Sequence, residues 1–129
     1  MIVVDASVAF EIVLRTTLGM QAGKRLISED IHVPHLVDVE IASAIRRQFL
    51  AGELGMDAAE EALQNLLDWP LVRHAHTPLL PRIWTLRHGI SAYDACYVAL
   101  AETLGVPLLT CDARLANTHG HSAKIELLD

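Results

Sequence analysis

The sequence predicts an α/β fold: a single domain with a mainly parallel central sheet of about five strands, flanked by helices. Three observations carry this. Short apolar runs alternate with longer segments of helical periodicity from one end of the chain to the other, the pattern of a parallel sheet with crossover helices. No linker, internal repeat or low-complexity stretch interrupts that alternation. The chain has 129 residues, 52% of them hydrophobic, which suits one hydrophobic core and excludes disorder as the default.

The elements follow in order. Residues 2–5, IVVD, are an apolar run ending in an acid and read as the first strand. Ala6 to Arg15 and Met20 to Ser28 read as helices, with Gly19 as punctuation between them. Ile31 to Pro34 is a strand closed by proline. Leu36 to Leu50 is a long amphipathic helix whose core stripe is Val37, Ile41, Ala44 and Ile45, with Gln48 at its polar margin and Gly52 as its stop. Asp57 reads as the N-cap of a further helix, with Glu60 as its capping-box partner, ending at Trp69-Pro70. Leu71 to His76 reads as a third strand, and Pro81 to His88 as a helix stopped by Gly89. Ser91 to Leu104 is a helix ending at Gly105. From Ala92 to Ala101 its residues are apolar on every side except for Asp94, so this stretch reads as buried. Pro107 to Thr110 is a strand, Asp112 to Asn117 a turn or short helix, and Lys124 to Leu128 a last strand.

Charge narrows the function. A net charge of −6 and a pI near 5.5 count against a broad basic surface for nucleic acid, but not against phosphate contact through metal ions held by acids. No apolar run is long enough to span a membrane, and MIVVDAS lacks the basic start of a signal peptide, so a cytoplasmic protein is expected. Cys96 and Cys111 form no C-x-x-C pair and read as small buried hydrophobes.

Four acids stand out by position. Asp5 and Asp112 follow strands at their carboxyl ends, where open α/β sheets bind ligands. Glu40 and Asp94 lie near the starts of helices that follow strands, so all four point toward one edge of the sheet. Each has a plainer role available. Asp94 can complete a capping box with Ser91, Glu40 can favour the positive end of its helix, and Asp5 and Asp112 can cap the helices after them. In one cleft, however, each carboxylate pair about 5 Å apart repels by roughly 3 kcal/mol at an effective dielectric near 20. A hard divalent cation with oxygen ligands relieves that repulsion, and Mg²⁺ accepts one or two carboxylates, waters and phosphate oxygens.

Three stretches, VVDASVAFE at 3–11, PHLVDVEIASAIRR at 34–47 and SAYDACYVALAETLGVPLLTCDARLA at 91–116, give the chain a recognisable pattern. It resembles the PIN-domain nucleases, and within them the VapC-type toxins of bacterial toxin–antitoxin pairs. The resemblance runs from Ile2 to the last strand. It implies a single PIN domain over 1–129 with an acidic site of Asp5, Glu40, Asp94 and Asp112. Asp5 and Asp94 would be direct ligands of Mg²⁺ or Mn²⁺, with Glu40 and Asp112 completing the site directly or through water. Ser7 and Thr110 match small hydroxyl positions beside the acids, and Asn117 stands where some relatives have another acid. The resemblance further implies a metal-dependent endoribonuclease leaving a 5′-phosphate, a homodimer, and a small antitoxin whose C-terminal tail covers the cleft, often with an arginine on the carboxylates.

Other residues carry less. His74-x-His76, His119-x-His121 and His32-x-x-His35 have spacings that could suggest zinc, but nothing completes a recognised pattern. His88 and His119 are the candidates for a metal-free acid–base mechanism. Arg46, Arg47, Arg82, Arg87 and Arg114 are candidates for phosphate contacts, with surface ion pairs as the plainer role. Trp69, Trp84 and Tyr97 read as core or interface, so base stacking is poorly supported. Two other functions compete: a non-catalytic PIN-fold binding module, and an aspartate phosphotransfer domain. The second wants an acid where Ser7 stands, or a lysine at the carboxyl end of the last strand, whereas Lys124 is near its beginning.

Overall fold

The computed structural model describes residues 1–129. Five strands form one sheet: β1 (Ile2–Val4), β2 (Ile31–Pro34), β3 (Val72–His74), β4 (Leu108–Thr110) and β5 (Ile125–Leu127). The order across the sheet is β3-β2-β1-β4-β5, and every neighbouring pair is parallel. Strand β1 is central, with all three residues buried, because Ile2, Val3 and Val4 are covered on both faces. The chain builds outward from β1 through β2 to β3, then returns to the other side of β1 with β4. The gap between β1 and β4 is therefore the switch point of the sheet, where α/β folds open a crevice at the strands' carboxyl ends.

Seven helices flank the sheet: α1 (Ala6–Val13), α2 (Thr17–Leu26), α3 (Leu36–Leu50), α4 (Met56–Asp68), α5 (Leu80–Thr85), α6 (Ala92–Leu104) and α7 (Ala113–Ala116). A 3₁₀ turn over Thr77–Leu79 precedes α5. Helix α6 packs against β1, β2 and β4 and buries every residue from Ala95 to Ala101. It is capped by Ser91 at its start and stopped by Gly105, whose φ of 67° lies in the left-handed region that glycine tolerates. No helix is long and apolar enough to cross a membrane.

Several expected boundaries move for physical reasons. Helix α1 stops at Val13 because Arg15 adopts a left-handed φ of 55°. Gly19 is not punctuation. Thr16 caps α2, and Gly19 lies inside it, where a Cβ would sit 2.1 Å from the Glu11 carbonyl oxygen. The residue is small because α2 crosses α1 at that point. Asp57 is not an N-cap either. Gly55 takes that position without a side-chain bond, and Asp57 lies in the first turn, favoured by the helix dipole. Strand β3 is shorter than Leu71–His76 because His76 already leads into the 3₁₀ turn, and α5 ends at Thr85 rather than His88. Helix α6 is buried only from Ala95 onward, since Tyr93 before it is 62% exposed.

Candidate active site

A cleft of about 790 Å³ opens at the carboxyl edge of the sheet, and Asp5, Glu40, Asp94 and Asp112 all line it. The four come from different elements. Asp5 follows β1 and caps α1, Glu40 lies on α3, Asp94 is in the first turn of α6, and Asp112 follows β4 and caps α7. The capping roles open to Asp5 and Asp112 are thus real, and they fix the carboxylates at the cleft rather than compete with a role there.

Asp5 is the most constrained, only 5% exposed. Its Oδ1 accepts from the Ser7 hydroxyl at 2.6 Å and the Val8 N–H at 3.2 Å, and its Oδ2 accepts from the Thr110 hydroxyl at 2.5 Å. Ser7 Oγ in turn accepts from the Cys111 N–H at 3.0 Å, and Thr110 Oγ1 from the Asp112 N–H at 3.0 Å. These two hydroxyls tie the ends of β1 and β4 together across the switch point. A carboxylate offers about four lone-pair sites. Three are taken, leaving Asp5 one for a ligand from the cleft.

Glu40 accepts from the Tyr97 hydroxyl at 2.6 Å through Oε1. Tyr97 is 1% exposed, as a core residue should be, but its hydroxyl serves the site. Asp112 Oδ1 accepts from the N–H groups of Arg114 and Leu115 at 2.9 and 3.4 Å. Around Asp94, Ser91 Oγ accepts from the Asp94 N–H at 3.2 Å, which is one half of a capping box.

Burial pushes the carboxyl of Asp5 above the usual carboxylate range, its hydrogen bonds from Ser7, Thr110 and Val8 pull against this, and the charge of Asp94 adds to the rise. Glu40 is raised by burial too, and further by Asp94 and Asp5, while the Tyr97 hydroxyl lowers it. Asp94 is raised by burial and then by Asp112, with Arg114 and Ser91 opposing. The rise in three neighbouring acids has a common physical meaning: they are desolvated together without enough positive charge among them.

The donor set is all oxygen, which suits a hard divalent cation. No three His, Cys, Asp or Glu side chains come close enough to enclose an ion by themselves. An ion held there by one or two carboxylates would need water to complete its shell, as Mg²⁺ commonly does. One lone-pair site remains on Asp5, and the hydrogen bond from Asp94 to Ser91 runs through its N–H, so both carboxylates are open to an ion in the cleft.

Other candidates fall away from the cleft. No histidine lines it. His32 Nδ1 and His74 Nε2 lie 2.8 Å apart between β2 and β3, and the rings of His35 and His76 meet edge to face, with no third ligand for a metal. Asn117 caps the end of α7 and is not a fifth site residue. Of the candidate arginines, Arg47 and Arg114 line the cleft, whereas Arg82 is held by Glu102 and Arg87 lies over Trp84. Cys96 is buried and Cys111 partly so, both free, and burial with the charge of Glu40 pushes the Cys96 thiol up to about 11. Sequence reasoning missed Tyr93 at the rim and the Tyr97–Glu40 bond. The bond has a signal in the sequence: Tyr97 lies one helical turn after Asp94, at a spacing that puts both on one side of α6.

The PIN domain family model matches residues 2–120. Ribonuclease VapC12 of Mycobacterium tuberculosis is 43% identical, with 99% of each chain covered. VapC ribonuclease Mb0985 of Mycobacterium bovis is 46% identical, covering 92% of this chain and 91% of its own. The crystal structure of PAE2754 from Pyrobaculum aerophilum shares the fold with a TM-score of 0.69 at 22% identity, covering 96% of this chain and 81% of that one. That of Mycobacterium tuberculosis VapC20, a sarcin-ricin loop cleaving toxin, has a TM-score of 0.61 at 22% identity, covering 95% of this chain and all of the other. The chain belongs to the PIN-domain family and, within it, to the VapC ribonucleases.

Proposed function

We propose that this chain is a Mg²⁺- or Mn²⁺-dependent endoribonuclease, the toxin of a VapBC-like toxin–antitoxin module, working as one domain over residues 1–129. One observation carries the reading: Asp5, Glu40, Asp94 and Asp112 share one cleft at the switch point of the sheet, three of them raised by burial and by one another. Family membership supports RNA as the substrate.

Asp5 and Asp94 would hold the cation, with Glu40 and Asp112 completing the site directly or through water. When bound there, a divalent cation acidifies water and offsets charge gathering on the phosphate. The chain's own residues do the rest. The Ser7 and Thr110 hydroxyls keep Asp5 rigid and aimed into the cleft. Glu40, half-buried with a raised pKa and a free Oε2, is suited to take the proton of the attacking water. The water oxygen bonds to phosphorus, the P–O3′ bond breaks, and the 3′-oxygen leaves with a proton, so the new ends are a 5′-phosphate and a 3′-hydroxyl. The excess of acid also suits a cationic partner. The proposed antitoxin covers the cleft with its C-terminal tail and sets an arginine on the carboxylates. A homodimer in the cytoplasm completes the reading.

A phosphotransfer role finds no support in the geometry, because Ser7 binds Asp5 directly and Lys124 precedes β5 at the opposite end from the cleft. The test is cleavage of labelled total RNA by purified, antitoxin-free protein, wild type and Asp94→Asn, with Mg²⁺, Mn²⁺ or excess chelator. Metal-dependent cutting that yields 5′-phosphate ends and disappears in the variant is expected. Equal cutting by the variant or in chelator would overturn the reading, and a folded wild type that binds RNA without cutting any would favour a binding module.

A further inference from the structure

The chain has eight arginines, and most are already engaged. Arg25 binds Glu126 and Glu29, Arg73 grips Asp38 through two bonds of 2.8 and 2.9 Å, and Arg82 grips Glu102 through two of 2.9 Å. Arg87 lies 4.6 Å over the Trp84 ring. Arg47 and Arg114 differ, and both line the acidic cleft. Arg47 stands two turns after Glu40 on α3, hence on the same side of that helix. It makes no ion pair, and its one side-chain bond is a 3.4 Å contact to Ser43 Oγ. Arg114 stands on α7, its side chain 85% exposed and 3.6 Å from the nearest Asp112 oxygen. That distance is too long for a hydrogen bond, so Arg114 can turn to another anion without breaking one.

The cleft thus has an anionic floor and one uncommitted guanidinium on each of two walls. An RNA strand entering it meets repulsion at the floor, and the chain's net charge of −6 offers no general attraction. Something local must hold the strand. A guanidinium is the group best matched to a phosphate, through two parallel N–H···O bonds. We propose that Arg47 and Arg114 are substrate-positioning residues that bind backbone phosphates flanking the scissile one, and so set the strand's register over the four acids. This rests on the reading of the acids as the cleavage site.

The test separates the two. Binding of a labelled, mixed-sequence single-stranded RNA is measured against salt in an Asp94→Asn background, with Arg47→Gln, Arg114→Gln or Arg46→Gln added. Arg46 is the control because it neighbours Arg47 on α3 but lies outside the cleft. Arg47→Gln and Arg114→Gln should each weaken binding by roughly 3–10-fold and flatten the slope of log affinity against log salt by about 0.7. Lysine at either position should restore the slope, and thermal unfolding should stay unchanged. With Asp94 intact, each Gln variant should raise KM and leave kcat nearly as it was. Slopes unchanged in both variants, or changed as much by Arg46→Gln, would overturn the proposal. Failure of the acid site registers elsewhere, as cut ends produced by Asp94→Asn, and the slopes decide the arginines in either case.

Discussion

Asp94 and Glu102 stand at opposite ends of α6, and the fold treats them in opposite ways. Glu102 accepts two bonds from Arg82, at 2.9 Å each, and two more from Ser122. The Arg82 guanidinium and the Ser122 bonds hold its carboxyl down at about 2. Asp94 is raised instead, by burial and by Asp112, with only the exposed Arg114 and the Ser91 hydroxyl opposing. The same contrast holds for Asp38 and Glu126, which have arginine partners, against Asp5 and Glu40, which have hydroxyls. Three arginines, Arg25, Arg73 and Arg82, are committed to surface carboxylates, while the two that line the cleft, Arg47 and Arg114, make no side-chain hydrogen bond to its acids. A carboxylate group left short of cations while cations sit elsewhere is a place for a cation from outside.

The sharpest way to break this contrast is to neutralise one cleft acid. Asp5→Asn should lower single-turnover RNA cleavage by about 100-fold or more, because it removes a proposed cation ligand whose effect is concentrated in the transition state. The fold should survive, since the amide can still accept from Val8 and the two hydroxyls can rotate to meet it. Near-normal cutting by a folded Asp5→Asn protein would put Asp5 outside the site.

Tyr97→Phe tests whether a hydroxyl does at Glu40 what an arginine does at Glu102. The Tyr97 bond lowers the Glu40 pKa, so its loss should move the acidic limb of kcat/KM to higher pH and cut activity near neutrality by roughly tenfold. An unshifted limb would mean that Glu40 does not govern it.

Glu102→Gln is the reverse experiment. It should leave cleavage untouched and cost about 1 kcal/mol of stability, since Arg82 is 42% exposed and solvent screens the pair. The folded-state pKa is depressed, so this stability is present above the ordinary glutamate range and is lost as pH falls toward about 2. Thermal unfolding of wild type and variant across acid pH should therefore converge.

The smallest effect is the most diagnostic of sign. In metal-free protein, Asp94→Asn should raise stability at neutral pH by up to about 1 kcal/mol, because it removes a repelled charge. A carboxyl with a raised folded-state pKa favours the native state at low pH and loses that contribution as pH rises through it. The variant's advantage should accordingly shrink on acidification. A variant less stable than wild type at neutrality would show that Asp94 is paired rather than repelled.

Much of this was legible in the sequence because strand ends and helix starts are local features. Asp5 closes IVV, Asp112 follows LLTC, and Asp94 sits one turn into a helix too apolar to need it, so each could be placed without tertiary information. The alternation of elements likewise implied the parallel sheet. The order of strands was not legible, because it depends on which crossover lands on which side of β1, and that order sets Asp5 beside Asp112. Nor was the sharing of Asp5 by Ser7 and Thr110, residues separated by most of the chain, or the reach of the Tyr97 hydroxyl to Glu40. Gly19 looked like a stop because spacing alone cannot tell a helix breaker from a helix crossing, and the Glu11 carbonyl beneath it decides the matter. Asp57 matched a capping pattern that Gly55 had already satisfied with backbone alone.

The central claim is that the cleft carboxylates form a cation site. Its most direct test is the thermal unfolding of metal-stripped protein at neutral pH as Mn²⁺ is added, for wild type, Asp94→Asn and Glu102→Gln. An ion bound only by the native state must raise Tm with concentration. Wild type and Glu102→Gln should rise together while Asp94→Asn stays flat. A rise of equal size in Asp94→Asn, or none in wild type, would contradict the account.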